Sequence, residues 1–487
     1  MRFTTLRNFL GTTLLLMGAS APALAQQSKL VASDGAVFDG FGTSVSLDGE
    51  FALVGSVGDD PAGSAYIFRR SGSNWFQQAK LTPPLKTNEI LGQERTVGLD
   101  GNFAVLGTGF TSPNSPRGSV YVYRFNGSSW QLSQTLIPNK STEINFGRSV
   151  SISGNTLFVG VFDFPSPTTI TAEVYVFQFN GSSWVQTQII TGPQCFGWSM
   201  DIDSASGWAT IFSWGGGSPA TAFFYQRSGS TWILRQTFGI QGGGAGSVAI
   251  HGDAAALGTI HINAGPTPEV VDIFRRNGNT WTKEKVIRLA SGDPAHLGFR
   301  VALDKDALLV GGDDTFATAK FFLHNGSKWT QVMDVAANDP GNFPFGPALS
   351  LQAGEALLGV PSDNNGSVQT GAAFVIPVPQ VNSIALTGPT SVGVGTSPFW
   401  NWSGAPANAP YSFLMSGKLR GSLFQGHPID VGPGVKVLAT GTTTASGTGS
   451  FTIRVPRKFR GKTGNLEVVV SSGGRIFDSN PVTVTVF

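Results

Sequence analysis

The chain has 487 residues, of which 64 are glycine and only 13% are charged, and its formal net charge is +2. This composition excludes a highly charged disordered chain and is typical of turn-rich β-structure. Because Cys195 is the only cysteine, an intramolecular disulfide framework is also excluded.

Residues 1–25 have the pattern of a secretory signal peptide. The basic start MRFTTLR is followed by the apolar stretch FLGTTLLLMGA, and Ala23 and Ala25 provide the small residues of a cleavage site after Ala25. No later apolar run approaches 18 residues, so we expect no membrane span in the mature chain. We therefore expect a secreted, cell-surface or periplasmic protein, for which nucleic acid is not an expected partner.

Six copies of one hairpin follow, and each leads into a tryptophan. VYVYRFNGSSW ends at Trp130 and VYVFQFNGSSW ends at Trp184. Alternating apolar and polar residues, then Asn-Gly or Ser-Gly, predict a strand and a tight turn before a second strand. We interpret the N-x-S patterns at Asn126, Asn180 and Asn325 as turn chemistry and not as glycosylation sites. The recurring position predicts a structural packing role for Trp75, Trp130, Trp184, Trp232, Trp281 and Trp329.

A second motif precedes each hairpin, and it also reads as strand, turn, strand. Clear copies are FGTSVSLDGEFALVG from Phe41, FGRSVSISGNTLFVG from Phe146 and LGFRVALDKDALLVG from Leu297. Looser copies begin near Leu91, Phe196, Gly242 and Phe345, which makes seven. Four strands per unit, with tryptophans spaced 48 to 55 residues apart, predict an all-β, seven-bladed β-propeller.

The seventh unit has three predicted strands and no tryptophan strand. The missing strand is predicted at the other end of the chain, because QQSKLVASDG at Gln26 resembles FQQAKLTPP at Phe76. We expect this N-terminal strand to complete the last blade and so remove an open sheet edge.

These units resemble the FG-GAP repeat family, in its secreted bacterial branch. The resemblance rests on Phe41-Gly42, ALVG at Ala52, Asp59-Asp60, GSAYIF at Gly63 and WFQQAKL at Trp75. It covers about residues 26 to 377 and implies the seven-bladed propeller fold that is also found in the heads of integrin α-subunits.

The resemblance also bears on metal binding. In integrin-like relatives, spaced Asp and Asn residues between the first and second strands hold Ca²⁺, which needs six to eight oxygen ligands. Here the same turns are short and hold two acids at most, so we expect no metal and no cofactor. We interpret the pairs Asp59-Asp60, Asp313-Asp314 and Asp363-Asn364, which lie in other loops, as solvated turn residues.

The repeat pattern ends near Pro377. We expect a propeller over 26–376, a linker over 377–382 and a β-sandwich of immunoglobulin-like type over 383–487, where seven short strands are predicted. The C-terminal domain has a net charge of +6 and the propeller −6. We interpret RKFRGK, from Arg457, as a solvated loop; an anionic surface polymer as its partner is the alternative.

The loops favour a binding scaffold over an enzyme. No catalytic motif is recognisable, whereas the loops between second and third strands and the blade connections vary on one face of the ring. Aromatic residues of this face, which pack on the rim or contact a ligand, are the candidate site: Phe110, Phe162, Phe164, Trp198 and Trp214. We expect a monomeric, non-catalytic adhesion-type protein that binds an extracellular protein or a glycan. The alternatives are a glycan-active enzyme with an unrecognised channel site and a structural envelope or matrix component.

Overall fold

A computed structural model provides the structure of the chain. It describes residues 27–84, 89–108, 118–139, 145–162, 172–214, 220–240, 244, 246–259, 270–288, 297–312, 319–324, 328–335, 348–365, 368–378, 384–405, 407–417, 419–424, 427–431, 435–472, 475–479 and 482–487. The chain divides into two compact units, and Ala25–Val381 forms the larger one.

The larger unit contains seven four-stranded antiparallel sheets, the blades of a β-propeller. After β1 (Ser28–Leu30), blade 1 has β2 (Phe41–Asp48), β3 (Phe51–Ser56), β4 (Ser64–Ser71) and β5 (Asn74–Leu81); blade 2 has β6 (Val97–Asp100), β7 (Phe103–Gly107), β8 (Val120–Phe125) and β9 (Trp130–Leu136); blade 3 has β10 (Ser149–Ser153), β11 (Thr156–Val161), β12 (Ala172–Phe179) and β13 (Trp184–Gly192). Blade 4 has β14 (Phe196–Asp203), β15 (Trp208–Ser213), β16 (Ala220–Ser228) and β17 (Thr231–Ile240); blade 5 has β18 (Gly246–His251), β19 (Ala254–Thr259), β20 (Val270–Asn277) and β21 (Thr280–Arg288); blade 6 has β22 (Arg300–Asp304), β23 (Ala307–Gly311), β24 (Ala319–His324) and β25 (Trp329–Val335). Blade 7 has β26 (Leu349–Gln352), β27 (Glu355–Val360) and β30 (Ala372–Pro377), with β1 as its fourth strand; a short hairpin of β28 (Asn364–Asn365) and β29 (Val368–Gln369) lies between β27 and β30.

The first strands of the seven blades surround a central channel. Each contacts the first strand of the next blade, and β26 of blade 7 contacts β2 of blade 1. Since the strands of a blade alternate in direction, the second-to-third loops and the blade connections lie at the end where first strands begin. We call this end the variable-loop face and the opposite end, with its short turns, the turn face.

The ring is closed by the start of the chain. Strand β1 pairs antiparallel with β30, with Lys29 opposite Phe374. The Lys29 ammonium lies 2.7 Å from the carboxylate of Asp363, which is buried in the loop after β27. Blade 7 therefore has its full four strands, the last supplied from more than 300 residues away in sequence.

Glycines of the two upstream strands allow neighbouring blades to approach each other. A Cβ added to Gly107, at the end of β7, would lie 2.1 Å from the carbonyl oxygen of Gly147 in blade 3. A Cβ on Gly359 would lie 1.9 Å from the carbonyl oxygen of Gly42 in blade 1. The Phe-Gly pair and the glycine that ends the second strand thus recur because the two backbones touch at this joint.

The repeat tryptophans form a second joint between blades. Trp130 packs edge-to-face on Phe51, Trp184 on Phe103 and Trp281 on Trp208, with ring centroids 5.3 to 5.6 Å apart. In each case the partner ring belongs to the preceding blade. At the joint between blades 7 and 1, an ion pair replaces the ring-to-ring contact. Arg70 lies 2.8 Å from Glu355, beside the half-buried Trp75.

Side-chain amides reinforce three of these joints. Each of Gln134, Gln188 and Gln236 makes two hydrogen bonds, of 2.7 to 3.0 Å, with the backbone of the tryptophan in the next blade. The side-chain NH₂ donates to the tryptophan carbonyl, and the side-chain oxygen accepts from the tryptophan N–H. A β-bulge recurs between the third and fourth strands of blades 1 to 6, next to the aromatic residue seven positions before the tryptophan. Alternation alone did not predict this bulge.

The C-terminal unit is also all-β and has its own core, which includes Trp400, Trp402 and Phe413. Its strands are β31 (Ala385–Thr387), β32 (Ser391–Val392), β33 (Phe399–Ser403), β34 (Pro410–Ser416), β35 (Leu419–Phe424), β36 (His427–Val431), β37 (Lys436–Thr442), β38 (Gly449–Thr452), β39 (Thr463–Ser472), β40 (Arg475–Asp478) and β41 (Val482–Val486), with a 3-10 turn at Arg457–Phe459. One sheet has the order β31-β33-β38 and the other β32-β41-β39-β34-β37, while β40 pairs with β39 and β35 with β36.

Seven strands were expected here, and four more are present. The additional strands β32, β35, β36 and β40 are short or lie in glycine-containing hairpins, where a period of two is difficult to recognise. Within the described residues, no helix is long and apolar enough to cross a bilayer.

Candidate functional site

One position of the repeat surrounds the opening of the channel on the variable-loop face. It lies two residues before the first core-facing residue of each first strand, and the described copies are Thr43, Arg95, Arg148, Trp198, Gly246 and Phe299. The copies at 43, 95, 148 and 198 line a cavity of about 430 Å³ together with Gln93, Glu94, Val57 and Phe162. A second cavity, of about 380 Å³, follows the first strands along the channel, and Arg95 borders both cavities.

Three arginines and one glutamate meet at this opening, and we call them the arginine cluster: Arg95, Arg148, Arg300 and Glu94. Arg95 Nη1 lies 3.1 Å from Glu94 Oε2, and the same oxygen accepts a short hydrogen bond from Arg300 Nη2. Arg148 Nη1 donates to Gln93 Oε1 at 2.9 Å. The side chain of Arg300 is only 7% exposed and that of Arg95 only 16%. Arg95 and Arg300, whose side chains are largely buried, therefore both contact the Glu94 carboxylate.

The cluster perturbs the pKa values of its members. Burial lowers the pKa of Arg95 well below its ordinary value, and the charge of Arg300 adds to this effect. Burial alone would raise the pKa of Glu94, but Arg300, Arg95 and Arg148 hold it below its ordinary value. The Nε and Nη2 atoms of Arg95 are buried and have no hydrogen-bond partner among the described residues. Arg95 also has a φ of 63°, a backbone conformation that costs a non-glycine residue on the order of 1 kcal/mol.

Aromatic rings support the cluster from the side. The guanidinium of Arg95 lies 4.6 Å from the ring centroid of Trp198, and that of Arg300 lies 4.0 Å from Phe299. Arg148 lies 5.8 Å from the ring of Phe162. These cation–π contacts orient the arginines without neutralising their charge.

Three of the five aromatic site candidates lie together in this structure. The rings of Phe162 and Trp198 are 5.7 Å apart, and those of Trp198 and Trp214 are 5.1 Å apart. Phe162 was expected either to pack on the rim or to contact a ligand, and it is only 3% exposed because it packs into the core between blades 3 and 4. Trp198 and Trp214 are half-buried. Phe110 and Phe164 lie outside the described residues.

The opposite end of the channel carries carboxylates. Asp100, Asp203 and Asp304 lie where first strands end on the turn face. Asp100 accepts a hydrogen bond from the backbone N–H of Gly154, and Asp203 accepts one from Gly252, both at 2.6 Å and both in the next blade. These acids hold adjacent turns together, and they give the channel a negative end opposite its arginine-lined end.

The acidic loop pairs were expected to be solvated, but two of the three pairs have a buried member. Asp59 is 5% exposed, and its carboxylate lies 2.8 Å from the ammonium of Lys80, which also contacts Asp34 at 2.8 Å and Asp60 at 2.9 Å. The hydroxyl of Tyr66 lies 2.7 Å from Asp59. Asp363 is buried against Lys29, as described above, whereas Asp313-Asp314 lies outside the described residues. Within the described chain, no group of three or more His, Cys, Asp or Glu side chains is arranged to hold a metal ion.

The arginine cluster was not identified from the sequence, although a signal was present. Aligning the upstream motifs places Arg95, Arg148, Trp198 and Phe299 at one position, where Thr43 and Gly246 stand in other blades. This position recurs at a constant spacing while its side chain varies, and in the closed ring its copies surround the central axis. The contact of Glu94 with Arg300, 206 residues apart, is visible only in the folded chain.

Comparisons with known proteins support the repeat at the first blade. The FG-GAP repeat family matches residues 24–68. No curated protein has a significantly similar sequence. Solved structures with a similar fold include hydrazine synthase of Kuenenia stuttgartiensis, with 12% identity over 72% of this chain and 97% of that chain and a TM-score of 0.49. The periplasmic gluconolactonase of Pseudomonas aeruginosa has 14% identity, 62% and 86% coverage and a TM-score of 0.43. The β-propeller domain of the Trilobed protease of Pyrococcus furiosus has 10% identity, 68% and 94% coverage and a TM-score of 0.42.

At these identities and TM-scores, the structural matches carry no further argument about this chain. The match at residues 24–68 covers β1 to β3 and most of β4, and the other blades repeat the same strand order. The chain is therefore a β-propeller repeat protein with an FG-GAP repeat at its start.

Proposed function

We propose that this protein is an exported, non-catalytic binding protein that recognises an extracellular protein or a glycan on the variable-loop face of its propeller. The observation that supports this most directly is the cavity at the channel opening. It is concave, about 430 Å³ in volume, and its lining includes four copies of a repeat position whose side chain differs from blade to blade. Ligand sites of this size, with a few convergent polar groups in an aromatic wall, are common in proteins.

Binding on this face can be tested with the chain from residue 26 onward on arrays of glycans and extracellular proteins. Once a ligand is found, Trp214→Ala is expected to weaken it by about 1 to 3 kcal/mol, because a half-buried ring at the rim offers large contact area at low entropy cost. The matched control is Asn180→Ala on the turn face, where the side-chain oxygen Oδ1 of Asn180 accepts hydrogen bonds from Ser182 N–H and Ser183 N–H at 2.9 Å.

The two variants separate binding from rim packing. Asn180→Ala is expected to lower stability slightly and to leave binding unchanged, since it removes only local turn hydrogen bonds. If Trp214→Ala lowers the melting temperature but not the affinity, Trp214 packs on the rim and the ligand binds elsewhere. If only substitutions on the turn face abolish binding, the ligand binds at the turn face and the proposed site on the variable-loop face is wrong.

A glycan-active enzyme is the second candidate, and Asp201 is the observation in its favour. Burial raises the pKa of this channel carboxyl to about 7, a value typical of general acids. However, Asp201 accepts hydrogen bonds from the backbone N–H groups of Ile250, at 2.8 Å, and Ile202, at 2.9 Å. The bond from Ile250 connects blade 4 to blade 5, and the bond from Ile202 is local to β14. A structural role therefore explains Asp201, and the binding function is favoured.

A further inference from the structure

We propose that the C-terminal unit binds a single-chain anionic amphiphile, an acyl chain that ends in a negatively charged head group such as the carboxylate of a fatty acid. The site is an apolar cavity between the two sheets of this unit, and two exposed lysines are among the residues that line it. The inference is independent of the function proposed for the propeller, because every residue that carries it lies within 383–487.

The cavity has a volume of about 290 Å³ and a mostly apolar lining. The three-stranded sheet contributes Trp400 and Phe451, and the larger sheet contributes Met415, Leu466 and Val484. Trp400, Leu466 and Val484 are buried in the core of the unit, whereas Met415 and Phe451 are half-buried. The cavity therefore reaches from the surface into the core, and an acyl chain that enters it exchanges water for apolar side chains.

The size of the cavity favours one chain. Small-molecule pockets in proteins usually have volumes of about 300 to 1,000 Å³, so this cavity lies at the lower limit. Its volume suits a single short acyl chain and not the two chains of a phospholipid. The proposed ligand is therefore a free amphiphile and not a bilayer.

Unpaired lysines lie at this cavity. Lys436 is opposite Met415 and Met415 is opposite Leu466 in the antiparallel pairs, so the three side chains project from the same face of the larger sheet. Lys436 and Lys462 both line the cavity, and both are exposed. Within the described part of the chain, neither lysine forms an ion pair or a hydrogen bond, and no Asp or Glu is among the described lining residues. Two ammonium groups are therefore available to an anionic head group.

The basic segment RKFRGK borders the same cavity. Phe459 and Lys462 of this segment line the cavity, and its other basic residues are exposed. The C-terminal domain has a net charge of +6, so its field attracts anions and repels a cationic amphiphile. An acidic polymer would contact the exposed bases but would leave the apolar cavity empty, so the cavity favours the amphiphile as the ligand.

The inference can be tested by isothermal titration of the chain from residue 26 onward with dodecanoate, below the concentration at which dodecanoate forms micelles. Saturable binding of one dodecanoate per chain is expected. Decanoate, which is shorter by two methylene groups, is expected to bind about tenfold more weakly, because each methylene group removed from water adds about fourfold to the affinity. Dodecyltrimethylammonium has a cationic head on a chain of the same length, and it is expected to bind at least about tenfold more weakly than dodecanoate.

A variant that fills the cavity assigns the binding to this place. Gly464 lies opposite Val484 in the sheet, and a Cβ added to Gly464 would meet Met415 as its nearest neighbour, at 3.7 Å. Gly464→Leu therefore extends a side chain into the cavity without a backbone collision. It is expected to abolish dodecanoate binding and to keep a melting temperature close to that of the wild-type protein.

A second variant tests the head group. Lys436→Met combined with Lys462→Met is expected to weaken dodecanoate binding about tenfold, since each exposed charge contributes about threefold. Arg454→Gln is the matched control, because Arg454 is an exposed base of the same domain that does not line the cavity. It should change the affinity by about twofold or less.

The inference is wrong if dodecanoate shows no saturable binding, or if dodecyltrimethylammonium binds as tightly as dodecanoate. It is also wrong if folded Gly464→Leu binds dodecanoate with wild-type affinity. If Gly464→Leu does not fold, the double lysine variant decides, because its substitutions are exposed, and an unchanged affinity in that variant contradicts the inference. Equal binding of wild type and Gly464→Leu to phosphatidylglycerol vesicles, without binding of dodecanoate, would identify the basic surface and not the cavity as the site.

Discussion

At the scale of single residues, Lys80 shows how a repeat position acquires a specific role. Its ammonium contacts three carboxylates, of which Asp59 is nearly buried. The hydrogen bond from Lys80 lowers the pKa of Asp34. Burial alone would raise the pKa of Asp59, but the contacts with Lys80 and Tyr66 hold it below its ordinary value. Lys29 and Asp363 form the equivalent contact in blade 7, in agreement with the alignment of Gln26 with Gln77, which places Lys29 at the position of Lys80.

Lys80→Met is therefore expected to destabilise the propeller by about 2 to 3 kcal/mol at pH 7, because it leaves a buried carboxylate without its cation. The lowered pKa values mean that this stabilisation is present above the unfolded pKa of about 4 and is lost as the pH falls through the folded values. The difference between variant and wild type should thus decrease from pH 7 to pH 3 in urea unfolding experiments. Arg69→Met, which removes an exposed ion pair, should cost about 1 kcal/mol or less at both pH values. A constant difference across this pH range would contradict the role of the carboxylates.

At the scale of elements, the blade joint explains why two short motifs recur. The glycine that ends a second strand touches the backbone of the Phe-Gly segment in the next blade. The tryptophan of each hairpin and the glutamine amides fix the outer part of the same joint. The local hairpins were predictable from alternation and turn residues, but the contacts between blades were not, since they join segments about 50 residues apart.

Gly107→Ala is expected to destabilise the propeller by about 1 to 3 kcal/mol, because the added Cβ would collide with the carbonyl oxygen of Gly147, which is backbone and cannot rotate away. Gly239→Ala is the control: a Cβ there meets no atom within 4 Å, and its backbone is extended within β17. In denaturant unfolding, the midpoint of Gly107→Ala should be lower than that of the wild-type protein. The midpoint of Gly239→Ala should be unchanged. Equal stability of the two variants would mean that blades 2 and 3 do not approach as closely as described.

At the scale of the whole molecule, a three-residue strand completes the ring. Without β1, blade 7 would expose the edge of β30, and a ring of repeats would become an open array. The ion pair of Lys29 with Asp363 adds an anchor beside the strand pairing.

Deletion of residues 26–33 is expected to lower the melting temperature by several degrees or more and to increase aggregation, because the β30 edge and part of the last blade lose their cover. A synthetic peptide of residues 26–35, added in trans, should restore part of the loss, which distinguishes strand pairing from a general effect of truncation. A truncated chain that melts like the full mature chain would show that β1 contributes nothing to ring closure.

The sequence by itself determined what is local and repeated: the hairpins, the number of units, the structural position of the tryptophans and the all-β character of both units. These properties follow from alternation, turn chemistry and a fixed period, which act within a few residues of the chain. Only the tertiary structure decided what lies at the axis of the ring. Arg95, Arg148 and Arg300 come from three separate blades, and ring closure brings their charges together around Glu94. The burial of Phe162 and Asp59 was decided in the same way, because burial depends on what the neighbouring blade places against a side chain, and a single repeat does not contain that information.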